Sequence, residues 1–127
     1  MPFVELSLRR GKSVEEIKKI SDAIHQALVD AYEMPDSDRF QIIHQLEPHE
    51  LVFDRHHMGG PRTDGFMVLS ITAGKERTIE VKKAFFNRLA QLLSERAGVD
   101  LEDIFVMLKT LTLSDFSFGG GRSLIPD

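Results

Sequence analysis

The chain has 127 residues, no cysteine and a net charge of −4, which excludes disulfides, thiolate metal sites and cysteine catalysis and argues against a dedicated nucleic-acid binder. With 42% hydrophobic and 28% charged residues it has the balance of one soluble domain with a proper core. No apolar run reaches the ~20 residues of a membrane span, and the start Met-Pro-Phe-Val-Glu-Leu has neither the basic nor the apolar segment of a signal peptide, so the expected location is the cytoplasm.

Phe3 to Arg9 alternates, with Val4, Leu6 and Leu8 on one side and Glu5, Ser7 and Arg9 on the other, the pattern of a half-buried strand. Arg10-Gly11-Lys12 turns the chain. Ser13 and Glu16 have capping-box spacing, and Val14, Ile17, Ile20, Ile24, Leu28 and Ala31 then recur at helical intervals. Pro35 and the acidic stretch Asp36-Ser37-Asp38 end that unit, and Phe40 to Leu46 reads as a second strand. Residues 48–65 read as a long loop, with a short element expected at Glu50 to Phe53. Phe66 to Ala73 is an apolar strand, and Gly74 to Arg77 a turn. A helix is expected from Thr78 to about Ala97, stopped by Gly98, and a fourth strand from Ile104 to Leu113. The tail, 114–127, shows no regular element.

Strand, helix and strand thus start near residues 3, 14 and 40 and again near 66, 78 and 104, an offset of about 63 or 64. This predicts one α+β domain spanning 1–127, built from two β-α-β repeats (about 2–47 and 65–113) that form a four-stranded sheet with both helices on one face. A ferredoxin-like βαββαβ fold has the same element order. The strands are apolar on more than one side: Ile42 with Ile43, Met67 with Val68, Phe105 with Val106. The sheet's second face therefore needs cover, and a homo-oligomer is expected.

The residue with the most chemical content is Pro2. Initiator methionine is usually trimmed before a small residue, which would leave a free secondary amine, and an α-amino group ordinarily titrates at about 7.7–8.0, within easy tuning of working pH. If the two repeats pack as a pseudo-two-fold pair, the start of the first strand lies beside the end of the third. That end carries Lys75 and Arg77 just before a helix N-terminus, a combination suited to a carboxylate. Parallel pairing within the first repeat brings Asp38 and Arg39 to the same end. Gly65 stands in the place of Pro2 in the second repeat, so one site per chain is expected. Read blandly, the same charges are solvated surface groups and Asp38 is a turn residue. His44 reads as a strand residue with a structural role, and His56 and His57 as surface residues with no metal-ligand pattern around them.

Met-Pro before a strand, Asp38-Arg39-Phe40-Gln41-Ile42-Ile43-His44, Ala73-Gly74-Lys75-Glu76-Arg77 and Asp115-Phe116-Ser117-Phe118-Gly119-Gly120-Gly121-Arg122 together resemble the tautomerase superfamily, and within it the malonate semialdehyde decarboxylase-like branch. The resemblance spans nearly the whole chain. It implies the β-α-β repeat fold, a homotrimer, no cofactor and an amino-terminal proline as the central catalytic group, here Pro2. It implies that Asp38 positions or activates water and that Arg77 is the second of two substrate-binding arginines. The first is replaced by Lys75, which keeps the charge and loses the planar fork. Phe116 stands where the family has a tryptophan of a hydrophobic wall, and Phe118 matches its phenylalanine. The expected function is keto–enol tautomerisation of a small 2-oxo acid, with Pro2, Asp38 and Arg77 catalytic and Lys75, Arg39, Phe116 and Phe118 binding substrate. The alternatives are cofactor-independent decarboxylation or hydration of a small 3-oxo acid such as malonate semialdehyde, and a non-catalytic oligomeric binding module.

Overall fold

Alternation of apolar side chains decides the two central strands of the computed structural model, which describes residues 2–127. In β1 (Pro2–Arg9) Val4, Leu6 and Leu8 are at most 2% exposed, and in β3 (Met67–Ala73) Met67, Leu69, Ile71 and Ala73 are equally buried. The two strands run antiparallel, with Pro2 opposite Ala73 and Leu8 opposite Met67. β2 (Phe40–Leu46) lies parallel to β1, and β4 (Ile104–Thr110) parallel to β3, so the sheet order is β2-β1-β3-β4. Each β-α-β unit keeps its two strands adjacent. This is the expected repeat arrangement and not the split ferredoxin-like one.

The helices α1 (Val14–Ala31) and α2 (Ile79–Ala97) cover one face. Ser13 and Glu16 form the expected capping box, the Glu16 N–H donating to Ser13 Oγ at 3.1 Å and the Ser13 N–H to Glu16 Oε1 at 3.3 Å. Thr78, expected as the first helical residue of α2, instead caps it, accepting from the Val81 N–H at 3.2 Å. Gly98 ends α2 at φ +64°, a conformation in which a Cβ is strained. Where the helices meet, the rings of Tyr32 and Phe85 lie 5.0 Å apart in a fully buried core.

Two boundaries differ from the sequence expectation for local reasons. β4 ends at Thr110, not Leu113, because Thr112 and Asp115 form their own turn over Leu113–Asp115: the Asp115 carboxylate accepts from the Thr112 N–H at 2.9 Å. The short element expected at Glu50 to Phe53 is a single 3₁₀ turn at Pro48–Glu50, with proline in the first turn, where its missing N–H costs nothing. Among the described residues no helix is long and apolar enough to cross a membrane.

Candidate active site

Pro2 opens a central strand, and its ring is buried. The register sets Phe3 beside Phe40 on one side and Thr72 on the other. With Phe116, Ser117 and Phe118 from the tail, these residues line a cleft of about 380 Å³ at Pro2. Its walls are stacked rings: Phe116 and Phe118 are 5.6 Å apart, and Phe118 and Phe40 are 6.1 Å apart. A second cavity of about 370 Å³, lined by Pro35, Ser37, Asp38, Phe40 and Phe118, shares two of those rings. The structure thus gathers Pro2, Asp38, Phe116 and Phe118 around two adjoining hollows. The expected trimming of Met1 concerns a residue outside the described ones.

Lys75 and Arg77 follow directly on Ala73, the partner of Pro2. Lys75 is exposed in the turn. Arg77 is not: its side chain is 4% exposed, its guanidinium lies over the Tyr32 ring at 4.7 Å, and Nη1 donates to the Lys75 carbonyl at 2.6 Å. Glu33 offers a charge partner at 3.7 Å, yet Arg77 Nε is buried with no hydrogen bond. A buried charged donor without an acceptor is costly, and it is the kind of group that an arriving carboxylate satisfies. Neither cation lines the aromatic cleft itself.

Arg39 is placed differently from its expectation. Its guanidinium turns onto α1, donating to Asp22 Oδ1 at 2.7 Å and Ser21 Oγ at 2.8 Å. That hydrogen bond is the main reason the Asp22 carboxyl is held below its ordinary range. Gln41 joins the same cluster, donating to the Ser21 carbonyl at 3.1 Å. Arg39 therefore fastens the start of β2, and with it the Phe40 wall, to the helix layer. His44 lies on the open sheet face, 3.8 Å from Glu5. His56 and His57 are exposed, their backbone N–H groups each 2.8 Å from Asp54 Oδ1. No group of three or more metal-ligating side chains is gathered among the described residues.

At the opposite end of the sheet, Gly65, the residue expected in the place of Pro2, borders a cleft of about 360 Å³ that includes Arg9, Arg10 and Lys12. Its arginines are ion-paired, Arg9 to Asp64 at 3.2 Å and Arg10 to Glu47 at 2.9 Å, although Arg9 Nε, like Arg77 Nε, is buried without a hydrogen bond. A Cβ at Gly65 would sit 3.2 Å from Asp103 Oδ2, so a bulkier residue is disfavoured. Sequence reading missed Phe3, Phe40 and Thr72 as lining residues. Their only signal is the strand register, which places them next to Pro2.

A mixed sheet of two adjacent β-α-β units, with proline heading a central strand inside an aromatic cleft, defines a small class of proteins. Profiles of tautomerase enzyme families match residues 38–119 and 2–56. The probable tautomerase YusQ of Bacillus subtilis (strain 168) is 37% identical over 123 residues, 97% of each chain. The chain belongs to the tautomerase family of enzymes. Among solved structures, malonate semialdehyde decarboxylase superposes with a TM-score of 0.89 at 32% identity, covering 94% of this chain and 92% of that one. A fused 4-OT trimer gives 0.77 at 24% identity, covering 95% and 94%.

Proposed function

We propose that this chain is a tautomerase in which Pro2, freed of Met1, moves a proton within a small 2-oxo acid. The observation that carries the reading is a buried proline at the head of a central strand, set in an aromatic cleft beside the turn that holds Lys75 and Arg77. The secondary amine takes a proton from the carbon next to the carbonyl and delivers it to the oxygen that becomes the enol hydroxyl. No atom is gained or lost. The substrate carboxylate pairs with Lys75 and with Arg77, whose guanidinium must turn out from its place beside Tyr32 and Glu33 to meet it. Cations and apolar walls both favour the neutral amine, the basic form, while the Asp38 carboxylate favours the cation. Phe116, Phe118 and Phe40 supply the apolar wall beside the reacting carbon.

A second reading shares the site. Malonate semialdehyde decarboxylase, 32% identical, is described with decarboxylase and hydratase activities, and Asp38 borders the adjoining cavity. A cationic Pro2 would polarise the carbonyl of a 3-oxo acid; the C–C bond to the carboxylate breaks, carbon dioxide leaves, and the resulting enolate takes up a proton at carbon. Asp38 would orient water for hydration. The assembly we propose is a homotrimer, supported by the apolar open face of the sheet and by the trimeric state of the fused 4-OT structure.

The test is proton NMR of Met1-free protein, checked by intact mass, with a panel of 2-oxo and 3-oxo acids. Pro2→Ala should lower kcat on the best 2-oxo acid by about 100-fold or more while the folded spectrum persists. Unchanged turnover would remove Pro2 from the mechanism.

A further inference from the structure

His25 has no part in the chemistry assigned to Pro2, yet it is a titratable side chain buried to 6% exposure on the core face of α1. Its Nε2 lies 2.8 Å from the backbone carbonyl oxygen of Asp36 and 3.4 Å from that residue's carboxylate. A carbonyl has no proton to give, so Nε2 carries it and the imidazole is the donor. An apolar side chain would fill this core position without the cost of burying a polar ring. What histidine adds is one directed bond to the loop between α1 and β2.

That loop needs holding. Pro35, Asp36 and Ser37 are exposed, between the buried Met34 and the Arg39 that is tied to α1. Within it the Asp38 N–H donates to the Pro35 carbonyl at 3.1 Å. Pro35, Ser37 and Asp38 line the cavity that shares Phe40 and Phe118 with the Pro2 cleft. The carbonyl that His25 grips is thus two residues before Asp38, which lines this cavity.

We propose that His25 is a positioning residue: its Nε2–H fixes the Asp36 carbonyl and so presents the Asp38 carboxylate to the site headed by Pro2. The inference rests on the reading of Asp38 given above. It predicts that His25 variants copy the signature of Asp38 variants without touching the substrate.

Asp38→Asn first identifies the reaction, decarboxylation of malonate semialdehyde or tautomerisation of phenylpyruvate, that depends on this carboxylate. On that reaction His25→Leu, which fills the core but cannot donate, should lower kcat by about 10- to 100-fold with KM little changed, the scale of a group misplaced by about an ångström. His25→Gln, whose terminal amide reaches the same carbonyl, should recover most of the loss. Amide hydrogen exchange gives a reading that needs no substrate: at Ser37 and Asp38 it should quicken by about tenfold in His25→Leu and not in His25→Gln. If His25→Leu does not fold, His25→Asn, too short to reach the carbonyl, takes its place. Wild-type exchange at Ser37 and Asp38 in the non-donating variant overturns the proposal whatever the kinetics. So does a lowered Tm with a pattern of loss across the two reactions unlike that of Asp38→Asn. If Asp38→Asn impairs neither reaction, the role of Asp38 fails, and this inference with it, while the Pro2→Ala test stands apart.

Discussion

Arg77 concentrates the problem at the scale of single residues. A guanidinium that is 4% exposed, over a tyrosine ring, with one N–H on a carbonyl and another on nothing, has been desolvated without full compensation. Such a group is a poor choice for stability alone. Replacing a buried, incompletely paired charge by an apolar side chain of similar length is often neutral or stabilising. Arg77→Met should therefore leave Tm within a few degrees of wild type. In the proposed mechanism the same change removes a charged donor to the substrate carboxylate, a contact worth about 1.5–3 kcal/mol, so kcat/KM should fall by about 10- to 100-fold. Thermal melts run beside steady-state kinetics separate the roles. A large drop in Tm with preserved kcat/KM would make Arg77 a structural support of the turn and would leave Lys75 as the carboxylate's partner.

Between elements, polar ties lock neighbouring helices and strands together, and their pH dependence has a definite sign. Asp30 on α1 accepts from Gln26 Nε2 at 2.7 Å and from Arg88 Nε on α2 at 2.8 Å, and these hydrogen bonds, Gln26 first and Arg88 second, hold its carboxyl below the ordinary range. A carboxyl depressed in the folded state stabilises at pH values above its unfolded pKa, and the contribution is lost as pH falls through the folded value. Asp30→Asn should thus cost about 0.5–1 kcal/mol near neutral pH, and the gap in Tm from wild type should close as pH falls through and below the ordinary carboxylate range. A gap that stays constant from neutral to acid pH would mean that the charge contributes nothing. Such ties are also where sequence reading ran out. The central strands were legible because burial of one face forces strict alternation in Val4, Leu6 and Leu8 and in Leu69, Ile71 and Ala73. The helix starts were legible because Ser13 and Thr78 act locally. The partner of Arg39 was not, because Asp22 lies 17 residues away and meets it only after α1 packs beside β2. Nor was the grip of His25 on Asp36, since a histidine on a helix carries no local mark of what it reaches. The four resembling blocks pointed to Pro2, Asp38, Lys75, Arg77, Phe116 and Phe118, of which the two cations line neither hollow. The register alone adds Phe3, Phe40 and Thr72.

At the scale of the whole molecule, one sheet face is covered by helices and the other is open. The register puts Phe40, Ile42 and His44 of β2 on the open side with Phe3, Glu5 and Ser7 of β1 and Phe105 and Met107 of β4. Phe40, Ile42, Phe105 and Met107 are 42–50% exposed, far more apolar surface on one face than scattered surface residues provide. Among the described residues the edge strands β2 and β4 carry no strand partner on their outer sides, a second surface that association would cover. In the proposed trimer this face meets other copies, and burial of roughly 800 Å² per partner would suffice for a stable contact. Ile42 lies on that face along the edge strand β2, two residues from the cleft wall at Phe40. Ile42→Lys would place a charge in the buried contact while leaving the helix-side core untouched. Light scattering after gel filtration should report three copies for the wild type and one for the variant, with the monomer's circular dichroism still that of a folded α+β chain. If turnover disappears with assembly, neighbouring copies complete the Pro2 cleft. If the variant monomer keeps turnover, each chain carries a whole site. A wild type that runs as a monomer would sink the trimer, and a trimeric Ile42→Lys would move the contact off this face.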